Sequence, residues 1–208
     1  MDIADVPAPR AVLAAHTAFA GRVWSVVTEH VAFADGPARR DVLHHPGAVA
    51  VMVENAEGLI YLVHQYRHPV RRELWEPPAG LLDVADEDPL AAAKRELAEE
   101  ADLMAAEWHV LADLYTSPGG SSEAIRIYLA RGESEIAEDE RFARQAEEAE
   151  MVGEWVALED ILAAIAAGRA CGPTLTVGAY ALDAARRSGG ATLRPADAPW
   201  PARDGVPR

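Results

Sequence analysis

"GLLDVADEDPLAAAKRELAEEADL", residues 80–103, is the stretch on which the fold turns. Asp88 followed by Pro89 is a helix start, because an Asp side chain caps the first free N–H groups and proline suits the first helical position. Leu90, Ala93, Leu97 and Ala101 then recur at i, i+3, i+7 and i+11, which makes one apolar stripe. The spacing predicts a helix over 89–101. Glu96 and Glu100 are four apart and share a face, with Glu99 one turn from Glu96. Like charges at this spacing cost about 0.2–0.5 kcal/mol per pair, and the only bases among them are Lys94 and Arg95. Such a face is either a solvated acidic surface or a carboxylate cluster that holds a hard divalent cation through oxygen.

Outward from this helix the chain reads as strands first and helices last. Residues 20–33 and 39–45 flank the turn "DGPA" and predict a small antiparallel sheet. "GAVAVMVE" (47–54) and "LIYLVHQY" (59–66), separated by "NAEG", are apolar enough for a core hairpin. Strands are expected over 108–116 and 123–130 on either side of "SPGGSS", and again at "EWVAL". Helices follow near 158–168 and 174–187. The acidic stretch 133–150 reads as an exposed loop. The tail from 194 carries four prolines in fifteen residues and is expected to be disordered. Three parts result: an N-terminal arm and small sheet (1–45), a main domain (46–190) and a Pro-rich tail (191–208).

Bulk properties narrow the function classes. With 19 basic and 34 acidic residues among 208, the formal net charge is −15. A surface so acidic repels a duplex or an anionic membrane, so neither nucleic acid nor membrane is an expected partner. A phosphorylated small molecule remains compatible, since bound metal ions invert the local field. Cys171 stands alone, which excludes an internal disulfide and suits a reducing cytoplasm; it reads as a small buried residue rather than a nucleophile. The acidic start "MDIADVPAPR" does not read as a signal peptide. His44 and His45 read as surface or interface residues, and His64 and His68, on a strand end before Pro69, do not form a helical zinc pair.

The segment resembles the Nudix box, a glycine and a glutamate followed by Arg-Glu, an aliphatic residue, any residue and Glu-Glu. Gly80, Glu87, Arg95, Glu96, Leu97, Glu99, Glu100 and Leu103 fit it. Two departures stand out: six residues instead of five separate Gly80 from Glu87, and Asp102 replaces the terminal glycine. The resemblance implies an α/β (α+β) fold, the Nudix α/β/α sandwich with a mixed central sheet plus the small N-terminal antiparallel sheet. It also implies Mg²⁺ (Mn²⁺ as a substitute) held by Glu96 and Glu100, assisted by Glu99 and the carbonyl of Ala79. Glu87 and Arg95 are then expected to pair with each other.

Flanking motifs resemble the ADP-ribose pyrophosphatase subfamily. "QYRHPVRRELWEPPAGLLD" (65–83) is similar to its Gln-Tyr-Arg … Glu-x-Pro-Ala-Gly segment, and "SPGGSSEAIRIYLA" (117–130) to its Ser-Pro-Gly segment. This implies hydrolysis of ADP-ribose to AMP and ribose 5-phosphate by a homodimer whose N-terminal sheet contributes to the partner's site. Arg67 would clamp phosphate through its planar fork. Glu76 and Glu123 would accept bonds from ribose hydroxyls or extend the metal site, with Pro118 and Gly119 against the substrate. Trp75 and Tyr66 suit either base stacking or core packing. The resemblance points to Glu147 as general base, on the loop before "EWVAL", with Glu148 next in line. Two rivals stay open: another nucleoside diphosphate sugar such as GDP-mannose, or a non-catalytic ADP-ribose sensor.

Overall fold

The computed structural model describes residues 3–142 and 151–205. Three strands near the N-terminus, β1 (Val12–Ala20), β2 (Ser25–Phe33) and β3 (Gly36–His44), form an antiparallel sheet in that order. The single strand expected over 20–33 is thus broken. Gly21 N–H donates to the Trp24 carbonyl at 3.0 Å, turning the chain, and β1 lies upstream. β1 escaped the sequence reading because "VLAAHTAFA" is rich in alanine, which strands disfavour. All nine of its residues are exposed, Leu13 and Phe19 among them.

The main sheet contains β4 (Ala48–Glu54), β5 (Leu59–Arg67), β8 (Leu103–Tyr115), β9 (Ala124–Glu135), β10 (Val152–Ala157) and β11 (Arg194–Pro195) in the order β10-β5-β4-β9-β8-β11. Two short strands join it: β6 (Arg72–Glu76) on β5 and β7 (Ala79–Leu81) on β4. β4 and β9 run parallel while the other pairs are antiparallel, so the sheet is mixed. Strand periodicity sorts β4 between two cores. Val49, Val51 and Val53 face helix α1 (Pro89–Ala101) through Ala93, Leu97 and Ala101. Ala48, Ala50 and Met52 face helices α2 (Leu158–Ala166) and α3 (Pro173–Arg187) through Leu158, Ile161, Leu175 and Leu182. The α/β/α sandwich follows from that alternation.

Helix α1 starts and stops by local chemistry. The Asp88 carboxylate accepts from the N–H groups of Leu90 (2.9 Å) and Ala91 (3.2 Å). At the other end Asp102 takes a left-handed conformation, φ 54° and ψ 33°. Glycine reaches this region without steric penalty, so Asp102→Gly is expected to raise stability by about 1 kcal/mol. A rise in the urea midpoint checks it, and a fall would show that the Asp102 side chain contributes more than its backbone costs.

The tail departs from its expected disorder over 194–205. Arg126, 3% exposed, reaches from β9 to donate to the Ala198 (2.7 Å) and Pro199 (2.9 Å) carbonyls, and pairs bidentately with Asp113. Its guanidinium lies 4.8 Å from the Trp200 ring centre, and Trp200 is buried against the α1 side of the core. A proline-rich composition argues against regular structure, but here a charged clasp and one large ring anchor the segment along the β8 edge. Trp200→Ala should lose about 3 kcal/mol, the low end for a buried tryptophan, as read by chemical denaturation. An unchanged midpoint would mean that the strap adds nothing.

Cys171 also departs from expectation: it is exposed, just before α3. No helix among the described residues is long and apolar enough to cross a membrane.

Candidate active site

β4 and β5 pair only at Val53–Tyr61 and Glu54–Ile60. Beyond that point the two strands part. β7 takes the β4 edge, with Val49 opposite Gly80, and β6 takes the β5 edge, with Val63 opposite Glu76. The linker between β6 and β7 holds Pro77 and Pro78, which have no N–H to leave unsatisfied, while the Pro78 carbonyl accepts from Val51 at 2.8 Å. This fork opens a cleft of about 470 Å³. Arg67, Glu76, Ala79 and Gly80 line it on the β6–β7 side; Thr116, Glu123 and His45 also line it, with Thr174 at the start of α3.

The acidic helix backs onto the β7 wall. Ala79 N–H donates to Glu100 Oε2 at 2.8 Å, and Glu100 is buried. The Glu96 side chain crosses Gly80 so closely that an added Cβ would lie 1.9 Å from its carboxyl carbon. Gly80 is therefore required by close approach. Arg95 gathers the rest of the cluster. It grips Glu87 with two bonds of 3.0 Å and donates to Glu96 (2.7 Å) and Glu99 (3.1 Å). The bond to Glu87 holds the guanidinium pKa above its ordinary value and the Glu87 carboxyl below its own. The extra residue between Gly80 and Glu87 does not disturb this pair, because the chain turns there with Asp86 left-handed at φ 60°.

One guanidinium thus answers three carboxylates, with Glu100 on the same helix. That donor set, hard oxygens in negative excess, fits a divalent cation. Among the described residues no three acidic, histidine or cysteine side chains are gathered on one point; Glu96 and Glu99 each give an oxygen to Arg95 instead.

Elsewhere in the cleft lining, Glu76 Oε2 accepts from Gln65 (3.0 Å) and Arg67 Nε (2.9 Å). Arg67 is therefore first a partner of Glu76, with its side chain 42% exposed at the cleft. Glu123 is held by the Thr116 hydroxyl on Oε2 and lies 3.5 Å from His45 Nε2 through Oε1. Pro118 and Gly119 line a separate hollow of about 460 Å³ with Arg40, Asp41 and Tyr115. Trp75 stacks on His64, centroids 4.5 Å apart, and packs on the core, while Tyr66 is exposed beside His68. Glu147 and Glu148 lie outside the described residues.

Sequence reasoning passed over His45, Thr116 and Thr174. His45 was read as a surface or interface residue, yet its side chain is only 11% exposed. A signal was there: "HPG" leads directly into the most apolar strand, so a histidine just before it must sit at the sheet's end, where clefts open in layered folds.

A family model of the NUDIX domain matches residues 43–171. The chain is 38% identical over 189 residues to the ADP-ribose pyrophosphatase of Mycobacterium tuberculosis, covering 90% of this chain and 89% of that one. It is 38% identical over 145 residues to the ADP-ribose pyrophosphatase of Bacillus subtilis, covering 69% and 76%. Among solved structures, an ADP compounds hydrolase superposes with a TM-score of 0.70 at 17% identity, over 90% of this chain and 100% of that one, a likeness of fold.

Proposed function

The chain belongs to the Nudix family, and from that premise we propose that it is a pyrophosphatase that hydrolyses ADP-ribose to AMP and ribose 5-phosphate. One observation carries the reading: a single cleft has the acidic face of α1 behind Gly80 on one side, with Arg67, Glu76 and Glu123 around it. A diphosphate is drawn to the first through the divalent cation it would hold, and to Arg67 as a donor, while ribose hydroxyls need acceptors such as Glu76 and Glu123. The resemblance of both flanking motifs to ADP-ribose pyrophosphatases supports the same substrate.

Water supplies the oxygen that bonds to one phosphorus; the bridging P–O bond breaks and its oxygen leaves on the other phosphate. Hydrolases of this family depend on divalent metal, and we take the ion here to be Mg²⁺. When bound, such an ion would polarise the diphosphate and lower the pKa of water. Glu96 and Glu100 would hold it, with Glu99 and the Ala79 carbonyl assisting. Arg95 and Glu87 fix the pitch of the cluster against the β7 wall. Glu76 orients Arg67 toward the phosphates, and Glu147 takes the proton from water. The lone cysteine supports a cytoplasmic site of action.

The test is to incubate the purified protein and Mg²⁺ with a panel of nucleoside diphosphate sugars and identify the products. AMP and ribose 5-phosphate from ADP-ribose, faster than cleavage of GDP-mannose, is the expected result. Binding without turnover would make the protein a sensor.

We further propose a homodimer built on the N-terminal sheet. β1 exposes Val12, Leu13 and Phe19, and its open edge needs a partner. Sedimentation at micromolar concentration should give twice the 22.3 kDa chain mass. A fully active monomer would contradict the assignment.

A further inference from the structure

His45 joins the N-terminal sheet to β4 and is fixed from three sides. Its backbone N–H donates to Ser122 Oγ at 2.9 Å, stitching it to the segment that carries Glu123. Its ring Nδ1 accepts from the N–H of Gly47 at 3.1 Å. Gly47 sits at φ 89°, a backbone turn that favours glycine. A backbone N–H can donate only to an unprotonated ring nitrogen, so Nδ1 carries the lone pair and the proton of the neutral ring sits on Nε2. Burial also pushes the His45 pKa down, with Glu123 opposing it. Nε2–H then faces Glu123 Oε1 at 3.5 Å, while the hydroxyl of Thr116 occupies Oε2 and Ser121 Oγ accepts the Glu123 N–H at 3.1 Å. At 3.5 Å the ring contact is longer than a full hydrogen bond. Site contacts of this kind often tighten when substrate binds.

We propose that His45 is a positioning residue, whose neutral Nε2–H, locked in that tautomer by Gly47, holds the Glu123 carboxylate as an acceptor for substrate hydroxyls in the cleft. The Thr116 hydroxyl and His45 take one site on each oxygen, which fixes the carboxylate plane. This rests on the function proposed above. A solely structural histidine would tie the two loops together and leave substrate binding alone.

Two variants and one spectrum test it. His45→Phe keeps the ring volume and removes the donor; His45→Gln returns an amide N–H near Nε2. For His45→Phe, kcat/KM for ADP-ribose should fall about 10- to 100-fold, the scale of one bond to a charged group, chiefly through KM. His45→Gln should stay within about threefold of wild type. In a Glu123→Gln background, His45→Phe should add almost nothing. Equal losses in both His45 variants, or full additivity with Glu123→Gln, would overturn the proposal. Independently of turnover, long-range ¹⁵N–¹H correlation of the ligand-free protein at neutral pH should place the ring proton on Nε2. A proton on Nδ1 overturns it as well. A wild-type protein inactive on ADP-ribose sinks the substrate assignment, whereas the tautomer is read without substrate and the mutant cycle then uses whichever panel compound is cut.

Discussion

Glu100→Gln is expected to lower turnover by about 10²–10³-fold or more in a protein that folds as well as the wild type. Glu100 is buried at the base of the cleft wall and accepts the Ala79 N–H at 2.8 Å. A glutamine carbonyl can keep that bond, so the geometry of β7 against α1 survives. What disappears is one charge in a crowded set. Its removal relieves repulsion from the neighbouring glutamates, and it removes the penalty of burying an ion. The apo protein therefore gains or holds stability. The chemistry suffers because a neutral amide is a poor ligand for a hard divalent cation. Thermal melts with and without Mg²⁺, together with the rate on ADP-ribose, separate the two effects. The wild type should be stabilised by Mg²⁺ and the variant much less. Near-normal turnover in a folded variant would sink the metal assignment.

Glu147→Gln should reduce kcat by about 10²–10⁴-fold, the usual contribution of a positioned general base, with KM and Mg²⁺ dependence nearly unchanged. Glu147 lies outside the described residues, so the resemblance to ADP-ribose pyrophosphatases carries the choice of this residue. Glu96, Glu99 and Glu100 are committed to a metal in the proposed mechanism, and Glu76 and Glu123 are tied to Arg67 and Thr116. The proton of the attacking water then needs an acceptor from another segment, and the stretch before β10 offers Glu147 with Glu148 beside it. Glu148→Gln should do less. Wild-type rates near neutral pH in both single variants and in the double variant would move the base elsewhere, with Glu99 or Glu123 next.

Helix α1 was legible to the residue, because its start, stripe and stop are each set within a few positions of one another. The Arg95–Glu87 pair was expected only from the family resemblance, and it forms although the intervening loop is one residue longer. By contrast, β1 and the C-terminal strap were missed. Alanine-rich β1 has no alternation to read, and the strap is held by Arg126, more than seventy residues away in sequence from the carbonyls it binds. The location of Pro118 and Gly119, in a hollow beside the cleft, was equally invisible, since it depends on how the 117–122 turn leans against β3 through Leu43.

By itself the sequence determined much that is local in the chain: the capped acidic helix, the alternation that puts β4 between two cores, and the charge excess on one helix face. Only the tertiary structure decided where those pieces meet. The fork between β4 and β5 exists because β6 and β7 displace each strand from the other's edge, and that exchange brings Gly80, Glu76, Glu123 and His45 around one cleft. Periodicity is a property of neighbours along the chain, whereas edge pairing and the tautomer of a histidine are set by groups that the fold brings from elsewhere.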